Sequence, residues 1–213
     1  MQKEFKKRIL SSLIIIPLFL FFIIKGSILF ILLITILFLI ACLEWSKMTK
    51  RNELKIFGIF FLFLSFYSVY LLRDRSLLEF LMIIIICIST DIGGYIFGKI
   101  FKGPKLIKIS PNKTYFGVAG GFLLSFVFAY LFNVKYDIYF LENQNFLWDP
   151  FFIMSVFLIS TVSQIGDLII SYFKRASNIK NTGNLFPGHG GLLDRIDGMI
   201  FVFPFVFIIS KFF

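Results

Sequence analysis

The chain has little from which to build a soluble domain, and almost nothing for a thiol or imidazole metal site. Its 213 residues include one histidine, His189, and two cysteines, and only 16% are charged against 58% hydrophobic. Cys42 and Cys87 stand alone in apolar runs, without the paired spacing that zinc or a redox couple requires, and read as core or lipid-side thiols. Sparse charge among dominant apolar side chains indicates an integral membrane protein, organised as one domain over residues 1–213. Internal repeats and low-complexity linkers are also missing. The basic start, Lys3 to Arg8, followed by an apolar run, has the outline of a signal peptide. No small-residue cleavage site follows, and a second apolar run begins just after Lys25-Gly26, so the segment reads as a retained first helix. The net charge of +10 does not indicate nucleic acid. The basic residues lie in short segments between apolar runs, where they orient a membrane protein and meet anionic lipid.

What is present is a series of apolar runs at about 9–24, 27–43, 56–72, 77–99, 117–134, 150–172 and 198–212. They predict an all-α polytopic protein of about seven transmembrane helices, several shorter than the ~20 residues that cross a bilayer comfortably. Residues 1–72 form the N-terminal helices, and 77–213 hold the polar segments. With the N-terminus cytoplasmic, 17 of the 22 Lys and Arg fall on the inner side, leaving Lys25, Arg73, Arg75, Lys135 and Lys211 outside. This orientation places the segments 99–116 and 173–197 in the cytoplasm, at the inner face of the cell membrane. The segment 134–149, with Asp137, Glu142, Trp148 and Asp149, reads as an outer interfacial loop.

Carboxylates within apolar runs narrow the function. Asp91 and Asp167 each sit in a predicted span, where a lipid-facing charge costs roughly 3 kcal/mol, so each is expected to face protein, water or a cation. Helical spacing places Ser171, Lys174 and Arg175 near the face of Asp167. Asp194 and Asp197 are three apart. On a helix they share a face and suit a divalent cation, while the same spacing equally suits acidic residues at an ordinary helix start, with Asp194 as the cap. The turn Pro187-Gly188-His189-Gly190-Gly191 offers backbone N–H groups to a phosphate, and His189 is either a phosphate donor or a structural residue. In the other polar segment Lys113, flanked by Ser110 and Thr114, reads either as a phosphate clamp or as part of a lipid-facing basic loop.

Ser171-x-x-Lys174-Arg175, Lys180 and Pro187-Gly-His189-Gly-Gly-x-x-Asp194-Arg195-x-Asp197 resemble the signature of phosphatidate cytidylyltransferases, also called CDP-diacylglycerol synthases. Glu44-Trp45, Asp91-x-Gly-Gly-Tyr95, Ser110-Pro-Asn-Lys113-Thr114 and Gly166-Asp167-Leu168 agree with it in order. Two positions depart from the family pattern: Asn181 where an Asp is usual, and Tyr115-Phe116-Gly117 where Trp-Glu-Gly is common. The resemblance implies transfer of a cytidylyl group from CTP to phosphatidic acid within bilayer lipid, giving CDP-diacylglycerol and pyrophosphate. It implies Mg2+ on Asp167, Asp194 and Asp197, with a second, monovalent cation and a homodimer left open. Lys174, Arg175, Lys180 and Arg195 would neutralise phosphates, Ser110, Lys113, Thr114 and His189 would add contacts to substrate, and Asp91 and Ser171 would orient their neighbours. A CTP-dependent lipid kinase, a non-catalytic paralogue and a transporter using Asp91 and Asp167 are the alternatives.

Overall fold

The structure is a computed structural model and describes residues 16–107, 110–136, 150–183, 185 and 190–210, with backbone alone at 107 and 110–112. Five helices are long and apolar enough to cross a membrane: α2 (Ser27–Met48), α3 (Asn52–Arg75), α4 (Leu77–Phe101), α5 (Tyr115–Tyr136) and α6 (Pro150–Ala176). Two shorter apolar helices flank them, α1 (Ile16–Lys25) and α8 (Met199–Ile209), and a one-turn helix α7 (Leu193–Ile196) leads into α8. The chain is thus an all-α, multi-pass membrane protein. The expected outer loop falls largely at 137–149, outside the described residues, as does the basic start of the chain.

Helix ends follow local chemistry. Gly26 takes φ +65° between α1 and α2, a left-handed conformation that suits glycine. The Ser76 hydroxyl accepts the Glu79 N–H at 3.3 Å to open α4. The segment 99–116, expected as a plain loop, instead folds into an antiparallel hairpin of β1 (Lys105–Ile107) and β2 (Ser110–Thr114). The hairpin lets a polar backbone satisfy its own hydrogen bonds beside the membrane. It closes onto α5, because Thr114 Oγ1 accepts the Gly117 N–H at 3.1 Å.

Two apolar clusters hold the bundle. One gathers Phe30, Phe80, Phe152 and Phe203 toward the end where α1 meets α2. The other gathers Ala41, Trp45, Met48, Leu62 and Ile170 with Leu192 and Leu193 at the opposite end. α4 and α5 cross where Gly93 faces the backbone of Gly120, a contact no side chain would permit. The end without the hairpin is tied by arginines. Arg73 donates to the carbonyls of Ile23 (3.0 and 2.8 Å) and Ile24 (3.1 Å), and it lies 5.5 Å from the Phe30 ring. Arg75 reaches the Ser210 carbonyl at 3.4 Å. Both cations thereby satisfy carbonyls that the ends of α1 and α8 leave over. Arg73→Met is expected to weaken the fold by about 1.5–3 kcal/mol, the range for hydrogen bonds to a charged group. Thermal unfolding in detergent would register this as a lowered Tm, while an unchanged Tm would deny Arg73 that role.

Candidate active site

At the hairpin end, α4, α5, α6 and β2 enclose a cavity of about 270 Å³ lined by Asp91, Tyr95, Lys113, Thr114, Gln164 and Asp167 among others. Asp167 is the hub. Its Oδ2 pairs with Lys113 Nζ at 2.5 Å, and its Oδ1 accepts the Ser171 hydroxyl at 3.2 Å, as the one-turn spacing predicts. Lys113 also donates to the Gln164 carbonyl at 3.4 Å. Behind them, Thr90 donates to Ser160 Oγ at 2.9 Å and Gln164 Nε2 reaches the same oxygen at 3.4 Å, a polar seam between α4 and α6. Asp91 is exposed into the cavity, within electrostatic reach of Asp167, Lys113 and Arg195.

Asp197 joins this group from the α7–α8 turn because two glycines let α6 and α8 approach. A Cβ on Gly198 would overlap the Ser163 hydroxyl, and one on Gly166 would press on the Phe201 ring and the Asp197 carbonyl. Asp197 lies near enough to Asp167 for each carboxyl to act on the other electrostatically. Burial first, and then the facing Asp167, raise Asp197 well above the usual carboxylate range, with Lys174 opposing the rise and Asp91 adding to it. Two neighbouring carboxyl groups that oppose each other's ionisation are a place where a bound cation would stabilise the charged forms. Lys174 Nζ stands 4.0 Å from Asp197 and 2.9 Å from Asp194.

Asp194, the third member of the expected metal trio, has both oxygens in hydrogen bonds. Its Oδ1 accepts Lys174, and its Oδ2 accepts the N–H groups of Gly191 (2.9 Å) and Thr182 (2.8 Å) as well as the Thr182 hydroxyl (3.2 Å). Of the two readings the spacing left open, this geometry is that of a helix-start carboxylate, which reaches back to the N–H three residues before it. Among the described residues no three His, Cys, Asp or Glu side chains converge as a metal cage. Of the glycine turn only Gly190 and Gly191 lie among the described residues. The N–H groups of Gly191, Leu192 and Leu193 donate to Asp194 and to Glu44, which accepts Leu192 and Leu193 at 2.8 Å each and the Thr182 hydroxyl at 2.7 Å. Glu44 is the residue that site reasoning from sequence passed over. Its signals were a carboxylate near the end of an apolar helix and the place of Glu44-Trp45 in the family pattern.

The remaining expected residues sort plainly. The Thr114 hydroxyl accepts from the α5 start while lining the cavity, and Lys113 lies within it. Arg175, Lys180 and Arg195 are exposed around the polar end. The Ser110 side chain and all of His189 lie outside the described residues. Of the two departures from the family pattern, Asn181 sits beside Gly190 and Asp194, and Phe116 stacks on Phe101 with ring centres 5.7 Å apart. Neither occupies the cavity lining.

Residues 57–213 match the model of the cytidylyltransferase family. The chain is 35% identical to a phosphatidate cytidylyltransferase of Rickettsia felis over 95% of its own length and 91% of that protein. It is 34% identical to a phosphatidate cytidylyltransferase of Rickettsia bellii over 95% of the chain and 89% of the relative. A phosphatidate cytidylyltransferase of Bacillus subtilis is 39% identical over 59% of this chain and 44% of that protein.

Asp194 carries a pH signature. Burial alone would raise it, but the hydrogen bond from Lys174 and those from the Gly191 and Thr182 N–H groups win and hold it below the usual range. A carboxylate lowered by folding contributes stability that is complete above its unfolded value, about 4, and is lost as the pH falls through the folded value. The Tm difference between the protein and Asp194→Asn is therefore expected to be largest near neutrality and to shrink as the pH drops below about 4. A difference constant with pH would contradict it.

Proposed function

Because the chain belongs to the cytidylyltransferase family, we propose that it joins the cytidylyl group of CTP to phosphatidate within the membrane, releasing pyrophosphate and leaving CDP-diacylglycerol. The observation that carries this reading is a cavity between membrane helices that is lined by Asp91, Asp167 and Lys113, with Asp197 and Lys174 close to Asp167. An oxygen of the phosphatidate phosphate attacks the α-phosphorus of CTP, and the bond to the bridging oxygen of pyrophosphate breaks. Both substrates are anionic and no protein nucleophile is needed, so the chain contributes mainly by positioning and by neutralising charge.

Asp167 and Asp197 suit Mg2+, which is typically held by one or two carboxylates with water and substrate phosphates as its other ligands. Bound there, the ion would offset charge on the nucleotide phosphates and the departing pyrophosphate. The nearness of these two carboxylates is what favours this donor pair, and Asp194, whose Oδ2 already takes two N–H groups and a hydroxyl while Oδ1 takes Lys174, is given a supporting place instead. Lys113 and Lys174 neutralise phosphates at the centre, while Arg175, Lys180 and Arg195 attract them at the rim. Ser171 orients Asp167. The polar end faces the cytoplasm across the cell membrane, in keeping with its basic residues and with the source of CTP. Phosphatidate then reaches the site from the bilayer and CTP from water.

Transfer of label from α-labelled CTP into a lipid-extractable product, with phosphatidate and magnesium in detergent, tests this directly. Asp167→Asn and Asp197→Asn are each expected to lower kcat by about 100-fold or more, on the scale of losing one preorganised charge contact. A product bearing only an added phosphate would indicate a lipid kinase instead. Gly198→Val keeps every charged group, yet its side chain meets Ser163. It is expected to lose activity by pushing Asp197 away from Asp167, on the scale of about 100-fold for a 1 Å displacement. A Gly198→Val protein with full kcat would deny that the α6–α8 approach matters.

A further inference from the structure

Glu44, part of the Glu44-Trp45 pair in the family pattern, takes no direct part in the chemistry above. It is nonetheless a built feature. The residue is 7% exposed and sits on α2 among Ala41, Trp45 and Met48, which belong to an apolar cluster. A carboxylate in such surroundings is costly unless each oxygen is satisfied. Here Oε1 accepts the Leu192 N–H at 2.8 Å, and Oε2 accepts the Leu193 N–H at 2.8 Å and the Thr182 hydroxyl at 2.7 Å. Lys113 and Lys174 pair with other carboxylates, while Glu44 accepts from N–H and O–H donors.

These donors belong to the two strands of chain that deliver the site. Leu193 lies one helical turn before Asp197. Thr182 is shared between Glu44 and Asp194, Asp194 between Thr182 and Lys174, and Lys174 between Asp194 and Asp197. We propose that Glu44 is a positioning residue for cytidylyl transfer: it clamps Thr182 and the Leu192–Leu193 backbone, and so fixes Asp197 and Arg195 relative to Asp167. This rests on the transferase reading above. The first membrane helices are then part of the catalytic apparatus through one side chain, in addition to being an anchor.

The geometry requires a carboxylate. An amide at this position presents one acceptor oxygen and one NH2 group, and the NH2 must face either the Leu192 or the Leu193 N–H, donor against donor. Glu44→Gln therefore keeps volume and packing while freeing one end of the segment. Thr182→Val removes the shared hydroxyl alone and leaves both backbone hydrogen bonds in place.

The test measures kcat and KM for CTP and phosphatidate on both variants, together with hydrogen–deuterium exchange along the chain in detergent. Glu44→Gln is expected to lower kcat by about 10–100-fold, the range for residues that orient ligand groups, with KM little changed. Amide exchange is expected to rise in the segment 190–197 and to stay the same in α4 and α5. Thr182→Val should shift both readouts in the same direction by less, and it decides alone should Glu44→Gln not fold. Unchanged kcat in the folded variants would overturn the proposal. So would exchange that rises evenly along the chain, which marks general loosening rather than a local clamp. A wild-type protein that moves no label into lipid removes the transferase reading and this inference with it, and that outcome is visible before any variant is compared.

Discussion

Backbone N–H groups that open a helix inside a protein must find acceptors, and at Gly191, Leu192 and Leu193 they find two carboxylates. Asp194 is local, reaching back three residues, whereas Glu44 comes from another helix nearly 150 residues earlier in the chain. The same turn is pinned on its apolar side by Leu192 and Leu193, both at most 1% exposed, each burial contributing about 1.5–3 kcal/mol. Polar and apolar anchoring act on consecutive residues, so the turn has one position available to it. Asp197 and Arg195 follow immediately and inherit that position.

From this anchored turn the electrostatics of the site follow. Close helix approach at Gly166 and Gly198 brings the largely buried Asp197 near Asp167. Lys113 arrives from the hairpin and Lys174 from the end of α6, each beside a different member of the pair. Such a centre is balanced only in part by its own lysines. It suits a cation and anionic phosphates arriving together, since each lowers the cost of the other. The arginines at the far end do a separate job, closing the ends of α1 and α8 against α3.

Much of the fold was legible because it depends on composition and period. Apolar runs of membrane length are unmistakable, and α2 to α6 appear within a few residues of their expected bounds. The one-turn spacing from Asp167 to Ser171 correctly gave their contact, because α-helical geometry is local. The hairpin at 105–114 was not legible, since its strands lack an alternating apolar pattern. The same helical rule placed Lys174 and Arg175 on the face of Asp167, but Lys174 turns to Asp194 and Asp197, two acceptors on another element. Spacing alone left Asp194 divided between ligand and cap, and only the packed chain brings it the N–H groups of Gly191 and Thr182.

The amino-acid sequence by itself determined that this is a helical membrane protein, that its basic residues gather at one end, and which family signature it bears. These properties are sums over local stretches, and a chain carries them whatever its final packing. Only the tertiary structure decided which carboxylate meets which partner: Glu44 against the 192–193 backbone, Asp194 against Thr182, and Asp167 against Asp197. Those pairings join different elements of the chain, and their energies depend on burial and on distances of a few ångströms that exist only once the helices have packed.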